Sequence, residues 1–217
     1  IKRECSFERL ATMKISACYI VKNEQENIRH SIESLKNQYD ELIVVDTGSV
    51  DGTQEVVQAL GGKVFEYQWQ DDFAAARNFA LAKATGDWLI LLDADEYFTA
   101  ATAGNLRRVL EMASPEADGI LVDMVNFDAD TGEVQDHFYQ ARLLRNWKGL
   151  HYEGIIHEAP QLSNGDTLSF QRVSSDLLQI YHTGYRRSLS REKAERNLPL
   201  LQKMVAMGKP EAELARY

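Results

Sequence analysis

Three acidic residues follow a short apolar segment near the middle of the chain. The segment 88–92 carries no charge, and Asp93, Asp95 and Glu96 come directly after it. A continuous apolar run of this length is typical of a strand buried on both faces, as in a parallel sheet covered by helices. Carboxylates at the end of such a strand lie in the crevice where open α/β sheets bind ligands. Asp93 and Asp95 would suit Mg²⁺ or Mn²⁺, which in turn would hold a diphosphate.

The first half of the chain must place this strand in a sheet. Apolar segments that predict strands alternate with amphipathic segments that predict helices, and the connections are short. This alternation predicts a doubly wound α/β fold with a mostly parallel sheet flanked by helices. It also disfavours a solvated turn as the alternative interpretation of the acidic pair. The predicted strands are 14–21, 42–45 and 63–67. The first predicted helix begins at Asn23, the second begins after Asp51 as its N-cap, and the third spans 73–84.

The second half follows a less regular pattern. A helix is predicted over 106–113, and strands are predicted over 119–126, 138–144 and 177–181. From Ser190 the chain becomes charged and amphipathic, and a helix, a turn and the beginning of another helix follow. Such elements cannot bury their apolar faces alone, so we expect the entrance to a helical repeat array. The apolar face of the first helix is predicted to contain Leu198, Leu201, Met204 and Val205.

These patterns divide the chain into three segments. Residues 1–12 show no clear pattern and are expected to be a tail or an extension, because Met13 directly precedes the first predicted strand. Residues 13–187 are expected to form the α/β domain. Residues 188–217 are expected to form a short C-terminal α-helical extension.

The composition argues against several classes of function. The 217 residues are 44% hydrophobic and carry a formal net charge of −9, which disfavours nucleic acid or an anionic membrane as the main partner. The sequence contains no apolar stretch of about 18 residues, which is the length that could span a bilayer. The two cysteines, Cys5 and Cys18, are too few for a disulfide framework or a zinc site. These features predict a cytoplasmic protein, with at most a peripheral position at the inner face of the membrane.

Four segments taken together resemble the family 2 glycosyltransferases, which have the GT-A fold. They are IVKNE (20–24), VVDTGSVDGT (44–53), DFAAARN (72–78) and GDWLILLDADE (86–96). The likeness is close over residues 14–100 and looser over 100–185. It is greatest to the branch that contains lipopolysaccharide-core glucosyltransferases and bacterial peptide S-glycosyltransferases. Members of that branch often carry tetratricopeptide helices after the catalytic domain, as the C-terminal pattern here would fit.

The resemblance implies a metal-dependent, inverting transfer of a sugar, expected to be a hexose, from a UDP-sugar. The acceptor would be a glycan, a lipid-linked sugar or a peptide. By resemblance Asp95 binds the metal directly, while Asp93 contacts the ribose or reaches the metal through water. Asp46 and Thr47 are expected to line the nucleoside pocket, although many relatives have a second acid, in contact with uracil, at the position of Thr47.

Arg77 and Glu96 each have two interpretations. In the family the arginine of this segment reaches the base or the phosphates, and a permanently charged, fork-shaped guanidinium suits that task. Alternatively, Arg77 forms an ion pair at the surface with Asp71 or Asp72. Glu96 either supports the neighbouring acids from behind or is a solvated acid.

Two residues far downstream are expected to complete the site. GT-A enzymes commonly take a third metal ligand from a histidine, and we expect this to be His182, with His157 as the rival; either could instead be a core histidine. Glu158 is the candidate general base, because an inverting transfer needs a carboxylate that accepts the proton of the acceptor. Alternatively, Glu158 only orients one of the two histidines.

Three other functions share part of this pattern. An aspartyl-phosphate phosphatase also places Asp-x-Asp after a strand, but usually after the first strand rather than the fourth. A nucleotidyltransferase is expected to have a Gly- and Arg-rich loop after the first strand, and residues 21–26 contain neither amino acid. A degenerate transferase domain that presents helical repeats to a partner stays open, although the intact set of acids favours an enzyme.

Overall fold

The computed structural model describes residues 13–128, 130–183 and 190–206. Within these residues a nine-stranded sheet forms the centre of the molecule, and helices pack against it. Five of its eight strand pairs are parallel and three are antiparallel. The predicted α/β fold with a mostly parallel sheet is therefore confirmed.

The first half of the chain builds four adjacent parallel strands in the order β3-β2-β1-β4. Alternate residues of these strands enter two apolar clusters on opposite faces of the sheet. Burial on both faces explains why each strand reads as a nearly continuous apolar run. The strands are β1 (Ile15–Val21), β2 (Glu41–Asp46), β3 (Lys63–Glu66) and β4 (Trp88–Leu92).

Three helices connect these strands. Helices α1 (Gln25–Ser34) and α2 (Thr53–Ala59) contribute to the cluster on one face, and α3 (Phe73–Leu81) contributes to the other. The prediction of Asp51 as N-cap of α2 is wrong by one residue: Gly52 is the N-cap, and Asp51 Oδ1 accepts a hydrogen bond from the Thr53 amide at 3.0 Å. The third helix ends at its C-cap Ala82, before the expected residue 84.

The second half extends the same sheet with a mixture of directions. The order continues from β4 to β7, β6, β11 and β5, while β10 pairs with β6 and a separate hairpin is formed by β8 and β9. The three strands predicted here are found, with β7 longer than expected. The elements are β5 (Glu96–Phe98), α4 (Leu106–Glu111), β6 (Gly119–Phe127), β7 (Val134–Arg145), β8 (Leu150–Glu153), β9 (Ala159–Leu162), β10 (Phe170–Arg172) and β11 (Gln179–His182).

A β-bulge interrupts the pairing of β6 with β7 close to the end of β4. Ile120 pairs with Leu143 and Leu121 pairs with Ala141, so the register skips Arg142. An extra residue of this kind bends the strand and redirects its side chain. Leu143 and Leu144 after it enter the clusters on opposite faces of the sheet, and Arg142 itself is 6% exposed.

The C-terminal part agrees with the prediction of a helix from Ser190. Helix α5 (Ser190–Ala206) buries Leu200 and Met204 against Ile156, with Trp69 beside them. Two residues assigned to its apolar face, Leu198 and Val205, are instead 55% and 53% exposed. Residues 1–12, the boundary at 187/188 and the segment beyond 206 lie outside the described residues, so the division into segments stays a prediction. In the parts that the structure describes, no helix is long and apolar enough to cross a membrane.

Candidate active site

A cleft of about 620 Å³ opens at the carboxyl ends of the parallel strands. Its walls include Lys22 after β1, Thr47 after β2, and Asp93 and Asp95 after β4. The chain runs from β1 to β2 on one side, whereas β4 pairs with β1 on the other side. This is a topological switch point, the place where open α/β sheets bind ligands.

Two buried arginines hold the carboxylate of Asp93. Arg77 Nη2 donates to Asp93 Oδ1 at 2.9 Å, and Arg142 Nη2 donates to Asp93 Oδ2 at 3.1 Å. Partial burial would raise the pKa of Asp93, but the two guanidinium groups outweigh it and hold that pKa below its ordinary value. The alternative of a surface ion pair between Arg77 and Asp71 or Asp72 is therefore wrong.

Arg77 also joins Asp93 to the downstream segment that contains Glu158. Its Nε donates to Glu158 Oε1, and the Glu158 side chain is 11% exposed. The segment is attached to the start of α3 by a hydrogen bond from the Phe73 amide to the Ile155 carbonyl, at 2.9 Å. Arg77 thus faces two carboxylates that are far apart in the sequence, and Glu158 lines the cleft together with its neighbour His157.

The structure places His182 next to Asp95, whereas the predicted role of His182 as a metal ligand stays a prediction. His182 Nε2 lies 3.4 Å from Asp95 Oδ2, and both side chains are 17% exposed. The position follows from strand register, because His182 on β11 lies opposite Glu96 on β5 and opposite Asn126 on β6. The other ring nitrogen, Nδ1, lies 2.9 Å from Asn126 Oδ1. The rival His157 also lines the cleft, and partial burial lowers the pKa of its imidazole.

Glu96 lies behind the acidic pair and is 1% exposed. Its Oε2 accepts a hydrogen bond from the Asp93 amide at 3.1 Å, and its Oε1 accepts one from Arg142 Nη2. Burial raises the pKa of Glu96 above its ordinary value, although the guanidinium group of Arg142 acts in the opposite direction. The solvated alternative for Glu96 is therefore wrong, and the residue supports its neighbours.

The two residues predicted for the nucleoside pocket have different positions. Thr47 lines the cleft, and its hydroxyl donates to the Val21 carbonyl at 3.0 Å. Asp46 is 1% exposed and is not among the described residues that line the cleft. Its Oδ1 accepts from the Gly48 and Ser49 amides at 2.9 and 2.7 Å, so it shapes the following loop. Its Oδ2 is buried without a hydrogen-bond partner among the residues that the structure describes.

Arg142 is one residue of this site that the sequence analysis missed. It lines the cleft, is 6% exposed and contacts both Asp93 and Glu96. In the sequence it is one polar residue within a predicted strand, and the strand pattern gives no sign of the bulge at this residue. Helix α5 adds two further residues to the wall of the cleft that were not expected there, Arg196 and Asn197.

The chemistry of the site can be stated from these contacts. Asp95 and His182 offer a carboxylate and an imidazole to the same point, whereas both oxygens of Asp93 face arginines. No cluster of three or more His, Cys, Asp or Glu side chains suited to a metal ion occurs within 13–128, 130–183 and 190–206. Asp95 and His182 are the carboxylate and the imidazole that would hold a metal here, and the substrate and water would contribute to its coordination.

Comparison with known proteins agrees with this geometry. The glycosyl transferase family 2 profile matches residues 16–169. Because this match covers well over half of the chain, the protein belongs to glycosyltransferase family 2, and the family expected from the sequence is confirmed.

Two curated relatives and one solved structure illustrate the similarity. A TPR repeat-containing protein of Synechococcus elongatus is 38% identical over 68% of this chain and 36% of its own length. The SPbeta prophage-derived glycosyltransferase SunS of Bacillus subtilis is 29% identical over 93% of this chain and 47% of its own length. The chain thus spans less than half the length of both. A mannosyltransferase from Pyrobaculum calidifontis, solved with GDP-Man and Mn²⁺, is 24% identical with a TM-score of 0.45, covering 51% of this chain and 35% of that one.

Proposed function

We propose that this chain is the catalytic part of a metal-dependent, inverting glycosyltransferase that takes a sugar, most simply a hexose, from a UDP-sugar. The acceptor is a glycan, a lipid-linked sugar or a peptide. The observation that carries the proposal is the meeting of Asp95 and His182 at 3.4 Å in the cleft of a family 2 member. The formal net charge of −9 disfavours nucleic acid as a partner. The cytoplasmic location stays a prediction.

The residues around Asp95 fit a divalent cation. A carboxylate and an imidazole suit Mn²⁺ and are also compatible with Mg²⁺. The contact between His182 Nδ1 and Asn126 Oδ1, at 2.9 Å, directs the Nε2 lone pair of a neutral imidazole toward Asp95. Asp95 and His182 would therefore hold the metal, with Asp93 acting through water. When bound, the metal would neutralise the charge of the leaving diphosphate.

The donor is proposed to lie along the ends of β1, β2 and β4. Thr47 forms the wall for the nucleoside, and Asp46 acts on it through the loop that it shapes. Arg77 is already engaged by Asp93 and Glu158. We therefore assign Arg77 to arranging these two carboxylates beside the diphosphate, with its positive charge favouring the anionic donor.

Glu158 is proposed as the general base. The acceptor's nucleophilic atom forms a bond to the anomeric carbon while the bond from that carbon to the diphosphate oxygen breaks. The proton of the acceptor moves to the Glu158 carboxylate, and the electron pair of the broken bond leaves with UDP. The ion pair with Arg77 fixes where Glu158 stands in the cleft.

The test is a calorimetric titration of UDP with Mn²⁺ and again with chelator, beside GDP and CDP. We expect UDP to bind only with metal, Asp95→Ala to abolish this binding while the circular dichroism spectrum is unchanged, and Glu158→Gln to bind UDP nearly as the wild type does. Unchanged UDP affinity in Asp95→Ala would remove the metal assignment. Absence of binding by all three nucleotides would favour the non-catalytic alternative.

A further inference from the structure

Arg142 is a buried cation of the cleft to which the proposed chemistry assigns no task. It is placed by a β-bulge, a feature that commonly redirects a side chain next to an active site. An arginine that is 6% exposed is costly to bury unless carboxylates compensate its charge. Its compensating partners, Asp93 and Glu96, are the two ends of the segment that carries Asp95.

The segment 93–96 is a tight turn whose two ends are joined by two hydrogen bonds. The Glu96 amide donates to the Asp93 carbonyl at 3.0 Å, and the Asp93 amide donates to Glu96 Oε2 at 3.1 Å. Arg142 Nη2 then donates to the remaining oxygen of Glu96 and, at 3.1 Å, to Asp93 Oδ2. One guanidinium nitrogen therefore connects both ends of the turn, and Asp95 is held between them.

We propose that Arg142 is a positioning residue, which acts through Asp93 and Glu96 to fix the direction in which Asp95 presents its carboxylate to a divalent cation. Fixing the backbone of a residue costs conformational entropy. If the turn is already ordered before the cation binds, this entropic cost does not weaken cation binding. The inference that a cation binds here depends on the proposed function, whereas the inference that Arg142 orders the turn does not.

The first test measures the turn itself by amide hydrogen exchange. In Arg142→Met the Asp93 and Glu96 amides should exchange at least about tenfold faster, while those of Leu89 and Leu91 in β4 keep their rates. The matched control is Arg172→Met, because Arg172 stacks on the Tyr139 ring at 3.7 Å on β10 and should leave all four amides unchanged.

A second variant keeps this test decisive if Arg142→Met unfolds. Glu96→Gln preserves the shape of the side chain but removes the charge that Arg142 contacts, and it should accelerate the same Asp93 and Glu96 amides. Because the two residues act as a unit, the double variant should exchange little faster than the faster single variant. Unchanged exchange at both amides in Arg142→Met, or in Glu96→Gln if the former is unfolded, would overturn the proposal.

The second test measures Mn²⁺ binding in the presence of UDP by electron paramagnetic resonance. Arg142→Met should weaken Mn²⁺ affinity about 10–100-fold, as loss of an outer partner of a metal ligand does. Arg142→Lys, which keeps the charge but not the fork, should lose less, and Arg172→Met should match the wild type. A loosened turn with Mn²⁺ affinity within about twofold of wild type would overturn the role of Arg142. If the wild type binds no Mn²⁺ with UDP, the proposed function fails, and hydrogen exchange alone decides whether Arg142 orders the turn.

Discussion

Arg77 is a buried charged residue whose removal should lower the stability of the protein. It is 7% exposed and bridges Asp93 and Glu158. Replacement by methionine keeps much of the aliphatic volume but removes the charge. The Glu158 carboxylate, with its side chain 11% exposed, then loses its buried counter-charge.

The size of the effect follows from the burial of the two carboxylates. Breaking a buried ion pair by removing one partner costs about 3–5 kcal/mol. Asp93 keeps Arg142, and its side chain is 37% exposed, so water can replace part of the lost contact there. Most of the cost therefore falls on Glu158, and we expect the free energy of unfolding to fall by about 2–4 kcal/mol. For a chain of this size that corresponds to roughly 6–12 °C in melting temperature.

Urea unfolding followed by tryptophan fluorescence measures this change, since the chain contains three tryptophans. The control is Arg29→Met, because the ion pair of Arg29 with Glu33 is about half exposed and is worth under about 0.5 kcal/mol. Adding Glu158→Gln to Arg77→Met should recover part of the loss, since the uncompensated charge is gone. If Arg77→Met is no less stable than Arg29→Met, the buried network does not contribute as argued.

Two further predictions concern the core. Gly86→Ala should lower stability by about 1–3 kcal/mol, because a Cβ there would stand 2.5 Å from Ser16 Oγ and 2.7 Å from its backbone nitrogen. In thermal unfolding Gly104→Ala, whose Cβ would be 3.9 Å from the nearest atom, should match the wild type, and equal melting temperatures for both variants would contradict the contact. Cys18 should resist iodoacetamide in the native state, because it is 1% exposed and burial raises the pKa of its thiol to about 12. Mass spectrometry should find Cys18 alkylated only after denaturation, and rapid labelling of the native protein would contradict its burial.

The parallel half of the sheet could be predicted from the sequence because its strands are buried on both faces. A strand such as β4 then appears as an uninterrupted apolar run, and the acids after it mark its end without ambiguity. The prediction of His182 beside Asp95 rested on family resemblance. Its physical reason lies in the pairing of β11 with β5, a three-residue strand that begins at the buried acid Glu96. Tyrosine and phenylalanine favour strands, but three residues are too few to show the alternation that would have predicted this one.

The position of Arg142 in the site could not be predicted from the sequence, for a different reason. Periodicity assigns residues of a strand to alternating faces, and the bulge breaks that alternation at this residue. The ion pair of Arg77 with Glu158 could not be predicted either. Glu158 lies 81 positions away in the sequence, and the segment attached to α3 brings it close. Sequence patterns located the ends of strands, whereas the charge pairs depend on which distant strands become neighbours.

The antiparallel pairing of β4 with β7 is a seam between two parts of the molecule. Strands β1 to β4 are complete by residue 92, and β7 joins them only after residue 134. Asp93 lies on one side of this seam and Arg142 on the other. Closing a long loop has an entropic cost that local contacts do not share, so β4–β7 pairing is expected to follow the assembly of the first four strands. The cleft would then be a late product of folding, and a nascent chain could hold an ordered parallel sheet well before it holds an ordered site.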